Sequence, residues 1–134
     1  MAQATEGKTS AAREPEEAHR LWTERFRAGD LEALLALYEP TATLMPQPGQ
    51  TVSGTAAIRE ALSGFLGLKL TFEMLESKPA IRSDDLALLH SRWTMSGTGP
   101  DGSPMNLSGT TADVVRRQAD GTWLFAIDNP WGTG

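Results

Sequence analysis

The spacing of apolar residues in this sequence changes once, at about Leu68. Before it, apolar residues recur at the three- and four-residue spacing of amphipathic helices. After it, they alternate with polar residues, as in half-buried strands, and the stretch Leu68–Ser77 alternates most cleanly. Two further long strands are predicted at Leu86–Met95 and Met105–Arg117. Helices followed by a series of long antiparallel strands predict an α+β domain, with the helices packed on one face of a strongly curved sheet.

Three helices are predicted in the first half of the chain. The first begins near Glu14–Pro15, because proline suits a first helical turn, and ends at Gly29. Asp30 caps the second helix, and Tyr38 belongs to its apolar stripe. The third begins after Gly54. The space between these helices and the sheet is a natural place for a ligand pocket.

The length of 134 residues suits one domain with one hydrophobic core. Met1–Arg13 is polar, rich in small residues and without a pattern, which predicts a disordered N-terminal tail. Residues 14–132 are predicted to form the single domain.

Composition argues against several classes of partner and cofactor. The net charge is −5 and no basic stripe is present, so we expect no nucleic acid partner. The absence of cysteine excludes disulfides and thiolate metal sites, and His19 and His90 lie too far apart for a metal-binding motif. The glycine-rich motifs of nucleotide sites are also missing, so we expect no cofactor.

Hydropathy gives an expectation about the cellular compartment. The longest apolar runs are too short to cross a bilayer, so we expect no membrane partner. The N-terminus lacks the apolar segment of a secretory signal. These features predict a cytoplasmic protein.

The last predicted strand ends in a carboxylate, which is the most informative polar residue of the chain. Five apolar residues from Trp123 onward lead directly into Asp128. Regular alternation places Asp128 on the same face as Leu124 and Ala126. An acid in this position lies either at an exposed rim or in an apolar pocket. In a pocket, desolvation would raise its pKa and make it a candidate acid or base.

Three groups of segments carry a resemblance to a known family. They are Ala28–Leu31 with Ala36–Tyr38 and Ala42–Leu44; Ser53–Glu60; and Asp113–Arg117 with Asp120–Trp123 and Asp128. Their order and spacing resemble the nuclear transport factor 2-like superfamily, and within it the ketosteroid isomerases and the SnoaL-like polyketide cyclases. The resemblance implies a cone-shaped, curved antiparallel sheet with three N-terminal helices on its concave face. It implies less about function, since this scaffold serves isomerases, cyclases and non-catalytic binders.

The isomerase residues carry over only in part. The position of the isomerase tyrosine falls at Trp22, whose indole donates a hydrogen bond but does not titrate usefully. The position of the general base falls at Pro46, which cannot accept a proton. The aspartate that stabilises the enolate has a counterpart in Asp113. Isomerisation by the complete isomerase set is therefore not expected.

The cyclases offer a second template, because they resemble this chain in placing an acid/base aspartate on the final strand, where Asp128 lies. The resemblance implies proton abstraction and ring closure without a cofactor. Asp113 and Asp128 would then face one cavity, where their mutual repulsion could keep a proton on one of them. In the alternative, Asp128 lies at the rim of the cone, and Asp113 pairs with Arg116 or Arg117.

The remaining site residues are predicted to bind the substrate. They are Trp22, Tyr38, Met45, Gln47, Phe65, Trp93, Asn129 and Trp131. The aromatic members of this set could equally be plain core, and Gln47 could be a solvated turn residue. His90 and Arg92 are predicted to point outward, with Leu86 and Leu88, into a homodimer interface on the outer face of the sheet.

Three functions remain open from the sequence. The first is a cofactor-independent acid/base enzyme, isomerase- or cyclase-like, acting on a small hydrophobic carbonyl compound in an internal pocket. In it, Asp128 is the base and Asp113 the proton donor or oxyanion partner. The second is a non-catalytic binding or accessory protein that holds a hydrophobic metabolite in the same pocket. The third is a structural association domain with a filled core.

Overall fold

The computed structural model describes residues 11–132, which contain three helices and nine strands. The helices are α1 Glu17–Arg27, α2 Leu31–Leu35 and α3 Thr55–Gly67. The strands are β1 Tyr38–Gln47, β2 Gln50–Ser53, β3 Thr71–Ser77, β4 Ile81–Ser83, β5 Leu86–Leu89, β6 Ser91–Thr98, β7 Pro104–Thr110, β8 Asp113–Arg117 and β9 Trp123–Asp128. Among these described helices, none is both long and apolar enough to cross a membrane.

The strands form two sheets, one with the order β2-β1-β9-β8-β5-β4 and one with the order β3-β6-β7. Strand β1 runs parallel to β9, and the other neighbours are antiparallel, so the larger sheet is mixed. The α+β class and the three helices are confirmed. The parallel pair departs from the expected all-antiparallel sheet, because the chain places α3 and seven strands between β1 and β9.

Two strands predicted to be continuous are each divided between the two sheets. The stretch Leu86–Met95 breaks at His90, and Met105–Arg117 breaks after Thr110. The breaks lie side by side, since the Thr111 amide donates to the Ser91 carbonyl at 2.8 Å and the Ser91 amide donates to the Thr111 hydroxyl at 3.0 Å. The two sheets therefore join at this corner into one strongly curved surface.

The second helix is shorter than the sequence predicts. The Asp30 cap is present, with its carboxylate accepting from the Ala33 amide at 3.1 Å. However, α2 ends at Leu35, and Tyr38 is the first residue of β1 rather than part of a helical stripe. The Leu37 carbonyl instead accepts the Phe125 amide at 2.8 Å, so pairing with β9 replaces another helical turn.

A β-bulge in β9 changes the face of the sheet that Asp128 occupies. Val115 lies opposite Phe125 whereas Val114 lies opposite Ile127, so β9 carries one extra residue at Ala126. Phe125 and Asp128 are consequently both buried on the inner side, while Ile127 is 45% exposed. The predicted placement of Asp128 with Ala126 was wrong, because regular alternation does not anticipate a bulge.

The core lies between the helices and the inner side of the sheet. It includes Leu34, Ile58, Leu62 and Phe125, all fully buried. Most of the predicted N-terminal tail, residues 1–10, lies outside the described residues. Within the rest of that tail, Ala12 is buried and its carbonyl accepts the Trp123 amide at 2.8 Å.

Candidate active site

A cavity of about 60 Å³ lies between α1, α3 and the inner side of both sheets. Most of its lining is aliphatic or aromatic, and four of the lining residues are polar: His19, Thr111, Asp113 and Asp128. A single water needs roughly 10–15 Å³ of such space, so the cavity accommodates a ligand of a few non-hydrogen atoms in this conformation. Ionisable groups inside an apolar cavity are the usual mark of a binding or catalytic site.

Asp128 lies in the pocket rather than at the rim of the sheet. Its carboxyl group accepts a hydrogen bond from the Tyr38 hydroxyl, which in turn accepts one from Trp22 Nε1 at 2.9 Å. Burial raises the pKa of Asp128 well above its usual range, and the charge of Asp113 raises it further. The hydrogen bond from Tyr38 opposes this shift. The surroundings of Asp128 therefore favour its protonated form more than those of an exposed aspartate would.

Tyr38 keeps its proton for a similar reason. Burial raises the pKa of Tyr38 well above its usual range, and the neighbouring charge of Asp128 raises it further. The neutral phenol can accept from Trp22 and donate to Asp128 at the same time. Tyr38 thus positions Asp128, although it is not part of the cavity wall.

Asp113 is buried in a different set of partners. Its Oδ2 atom lies 2.5 Å from His19 Nε2, and its Oδ1 atom accepts the Asn129 amide at 2.6 Å. The alternative surface pairing is wrong, because Arg116 and Arg117 bind Glu39 and Asp85 instead. Both arginine side chains are about half exposed, whereas Asp113 is 1% exposed.

His19 is the site residue that the sequence analysis did not identify. It lies on α1, buried, with Nε2 on Asp113 and Nδ1 2.6 Å from the Ser91 hydroxyl. The helical spacing contained the signal, since His19 precedes Trp22 by three residues and Phe26 by seven. A polar residue on that apolar face must find buried partners, and only the fold supplies Asp113 and Ser91.

Four of the residues predicted to bind substrate line the cavity: Trp22, Phe65, Trp93 and Trp131. The Nε1 atom of Trp131 is buried and has no hydrogen-bond partner among the residues that the structure describes. An unpaired buried donor is costly, and a ligand acceptor would remove that cost. Trp93 differs, because its Nε1 atom donates to the Pro130 carbonyl at 2.7 Å.

Three other predicted binding residues do not reach the cavity wall. Met45 follows Leu44, which lines the cavity, so the alternation of β1 directs Met45 to the opposite side. Gln47 is exposed at the end of the same strand. The Asn129 side chain holds the last turn of the chain by donating to the Gly132 carbonyl at 2.9 Å. Asn129 contributes to the site only through its backbone amide, which donates to Asp113.

His90 lies outside this cavity, at the corner between the sheets. It is half-buried, with Nδ1 3.0 Å from the Thr111 carbonyl. No cluster of three or more His, Asp or Glu residues within residues 11–132 has the arrangement needed to hold a metal ion.

Comparisons with known proteins agree with this architecture. The model of the SnoaL-like domain family matches residues 19–125. Comparison with curated protein sequences gives no significant match. A ketosteroid isomerase-like protein from Erwinia carotovora atroseptica superposes with a TM-score of 0.72 at 24% identity, over 84% of this chain and 88% of that one.

Two further solved structures show the same fold at lower identity. A nuclear transport factor 2-like superfamily protein from Salmonella enterica serovar Typhimurium has a TM-score of 0.73 at 16% identity, covering 88% of this chain and 89% of its own. An NTF-2 like protein of unknown function from Shewanella oneidensis has a TM-score of 0.68 at 17% identity, covering 84% and 91%. These similarities concern the fold.

Proposed function

Because this chain belongs to the SnoaL-like domain family and has a nuclear transport factor 2-like fold, we propose that it is a cofactor-independent acid/base enzyme. Its substrate would be a small, hydrophobic carbonyl compound held in the cavity beneath α1. The reaction would be an isomerisation or a ring closure that begins with proton removal beside the carbonyl group. The observation that carries this proposal is the pair of carboxyl groups, Asp113 and Asp128, buried together in an apolar cavity.

The environments of the two carboxyl groups favour acid and base roles that are the reverse of those expected from the sequence. The raised pKa of Asp128 makes it the proton donor to the carbonyl oxygen, rather than the base. Asp113, which accepts from the Asn129 amide and contacts His19, is the proton acceptor. Carboxyl groups with separated environments are a recurring way to divide acid and base roles within one site.

The lining also indicates the charge of the ligand. Among the described residues, no lysine or arginine lines the cavity, and His19 is already paired with Asp113, so a carboxylate or phosphate would be buried there without a free counterion. A neutral carbonyl oxygen suits the site better, because it can accept from protonated Asp128 and from the unpaired Nε1 atom of Trp131. The proposed substrate is therefore uncharged.

Conversion of cyclohex-3-enone to its conjugated isomer, followed by ultraviolet absorbance, tests the proposal with a small neutral probe. Replacing Asp128 by Asn keeps the shape and removes the acidic proton, so we expect the rate to fall by roughly 10²–10⁴. Affinity for cyclohexanone, measured by quenching of tryptophan fluorescence, should change little. Asp84→Asn is the matched control, because Asp84 is exposed in a turn with φ 51°, which asparagine tolerates.

An equal rate in Asp128→Asn and Asp84→Asn would contradict the enzyme proposal. The second candidate, a non-catalytic binder, is favoured by Trp22 and Pro46, which stand where the isomerases have their tyrosine and base. Saturable cyclohexanone binding, without conversion of cyclohex-3-enone by the unmodified protein, would favour the binder. Absence of binding to the cavity would contradict both candidates.

The outer face of the larger sheet supports a proposal for the assembly. Ile81, Leu88, Val114 and Ile127 lie opposite one another on adjacent strands, which makes an apolar row across β4, β5, β8 and β9. Ile81 is 62% exposed and Ile127 is 45% exposed. Contiguous exposed apolar residues are typical of interaction surfaces. We propose that a second copy of the chain packs here as a homodimer, and its mass in sedimentation at micromolar concentration tests this.

A further inference from the structure

The two nitrogen atoms of His19 contact different partners, one at the cavity and one that leads towards β3, an edge strand of the smaller sheet. Nε2 lies 2.5 Å from Asp113 Oδ2, which faces the cavity. Nδ1 lies 2.6 Å from the hydroxyl oxygen of Ser91. Ser91 donates to the hydroxyl of Ser77 over 2.9 Å, and Ser77 is exposed. A continuous series of hydrogen bonds therefore joins the cavity to the protein surface.

The direction of these bonds follows from the hydroxyl of Ser91, which has one proton to donate. Because that proton is donated to Ser77, Ser91 must accept from His19 Nδ1–H. The short contact between His19 Nε2 and Asp113 Oδ2 then needs one further proton, carried by one of these two atoms. The two links from His19 to Ser91 and from Ser91 to Ser77 then have their donors on the cavity side and their acceptors on the solvent side, the arrangement that outward proton movement requires.

The fold holds the serine pair in place. Ser77 and Ser91 lie opposite each other in the ladder between β3 and β6. The backbone of Ser91 is bound on both sides by Thr111, through the bonds that join the two sheets. The Ser91 hydroxyl is therefore fixed between the imidazole and Ser77, with little freedom to turn elsewhere.

We propose that His19, Ser91 and Ser77 form a proton relay between Asp113 and the solvent. Starting from the imidazolium form, the Nδ1–H bond breaks as an O–H bond forms at Ser91. The original hydroxyl proton of Ser91 passes to Ser77, and that of Ser77 passes to water or hydroxide. The imidazole is then neutral, with its remaining proton on Nε2 towards Asp113. One proton leaves the site for each imidazolium that is discharged, and the reverse transfer through the same two hydroxyl groups recharges His19.

The use of this relay during turnover rests on the proposed function. A ligand in the cavity would shield Asp113 from water. The relay runs away from the cavity, from His19 through Ser91 on β6 to Ser77 on β3. As Asp113 takes a proton from the substrate, the His19 imidazolium could release its Nδ1 proton through Ser91 and Ser77, so that one proton reaches the solvent without the ligand leaving. The relay itself operates in the ligand-free protein, so its test does not need turnover.

Exchange of the His19 Nδ1 proton with water, measured by NMR on protein labelled with ¹⁵N-histidine, tests the relay. The chain has two histidines, so the spectrum is simple and His90 serves as an internal reference. Ser77→Val fills the position of the hydroxyl with a methyl group, which also keeps water out of it. Ser77→Thr adds the same methyl group but keeps the hydroxyl. Both β-branched residues suit an exposed strand position.

We expect Ser77→Val to slow His19 Nδ1 exchange on the order of tenfold, the factor that corresponds to losing one hydrogen bond from the path. Ser77→Thr should exchange at the rate of the unmodified protein, and His90 should be unaffected in both variants. Unchanged or faster His19 exchange in Ser77→Val would overturn the relay, as would equal slowing of His90. An inactive enzyme with a slowed Ser77→Val signal would contradict the proposed function and leave the relay intact.

Discussion

At the end of β8 and β9 where Asp113 and Asp128 lie, the polarity of the inner and outer faces is the reverse of that in an ordinary sheet. On the buried inner face, the two strands present Asp113 and Asp128. On the outer face, the adjacent residues Val114 and Ile127 present apolar side chains, and Ile127 is 45% exposed. A chain selected for stability alone would favour the reverse arrangement, because burying carboxyl groups costs free energy.

This inversion indicates two different roles for the two faces. Local choices that conflict with folding are expected where function requires them. The inner carboxyl groups are retained with dedicated partners, His19 for Asp113 and Tyr38 for Asp128. The outer apolar row has no covering element among residues 11–132, which is the basis for the proposed second copy.

The largest expected effect comes from the inner face. Asp113→Ala leaves His19 and the Asn129 amide without their buried acceptor, which should lower the free energy of unfolding by about 3–5 kcal/mol. Asp85→Ala is the comparison, because Asp85 forms an exposed ion pair with Arg117 and should cost at most about 1 kcal/mol. Urea denaturation measures both. Similar losses in the two variants would remove the distinction between buried and exposed carboxylates.

The next effect concerns the proton on Asp128. Its raised pKa means that the folded protein keeps this proton at pH values where the unfolded chain has lost it. Stability should therefore fall as pH rises from the usual carboxyl range towards the raised pKa, by at most about 1.4 kcal/mol per pH unit. Asp128→Asn should lack this contribution and gain stability relative to the unmodified protein across that window. Parallel stability curves, with Asp84→Asn correcting for the lost charge, would contradict the assignment.

A substitution on the outer face should change the assembly of the protein rather than its folding. Ile127→Lys places a charge in the apolar row of the proposed interface, so we expect the dimer dissociation constant to rise by roughly 30-fold, about 2 kcal/mol. The monomer fold should be preserved, because Ile127 already contacts solvent. Leu75→Lys is the matched control on β3, where Leu75 is 49% exposed but outside the apolar row. Sedimentation should show a monomer only for Ile127→Lys.

The smallest effect tests the partner of Tyr38. Trp22→Phe removes the indole donor but keeps an aromatic ring, so the loss should be about 1 kcal/mol in urea denaturation. Trp93→Phe provides a contrast, because the Trp93 donor is directed to the Pro130 carbonyl and not to the carboxyl network. Only Trp22→Phe should alter the pH dependence assigned to Asp128. An identical pH profile in both variants would contradict the link through Tyr38.

The sequence allowed the fold class and part of the site to be predicted. Local patterns were sufficient for α1, for the Asp30 cap and for the alternation of β3, because these features depend on neighbouring residues. The resemblance placed Asp113 and Asp128 on adjacent strands. Local patterns did not reveal the breaks at His90 and Thr111, since a corner between two sheets is set by the packing of both.

What the sequence determined by itself is the periodicity that separates helices from strands and the presence of an acid after an apolar strand. What only the tertiary structure decided is the environment of that acid. The bulge at Ala126 turns Asp128 inward, where burial raises its pKa and the charge of Asp113 on the neighbouring strand raises it further. His19, which precedes Asp113 by 94 residues, reaches the same site from a helix. Proton affinity depends on burial and on nearby charges, and both are properties of the assembled fold.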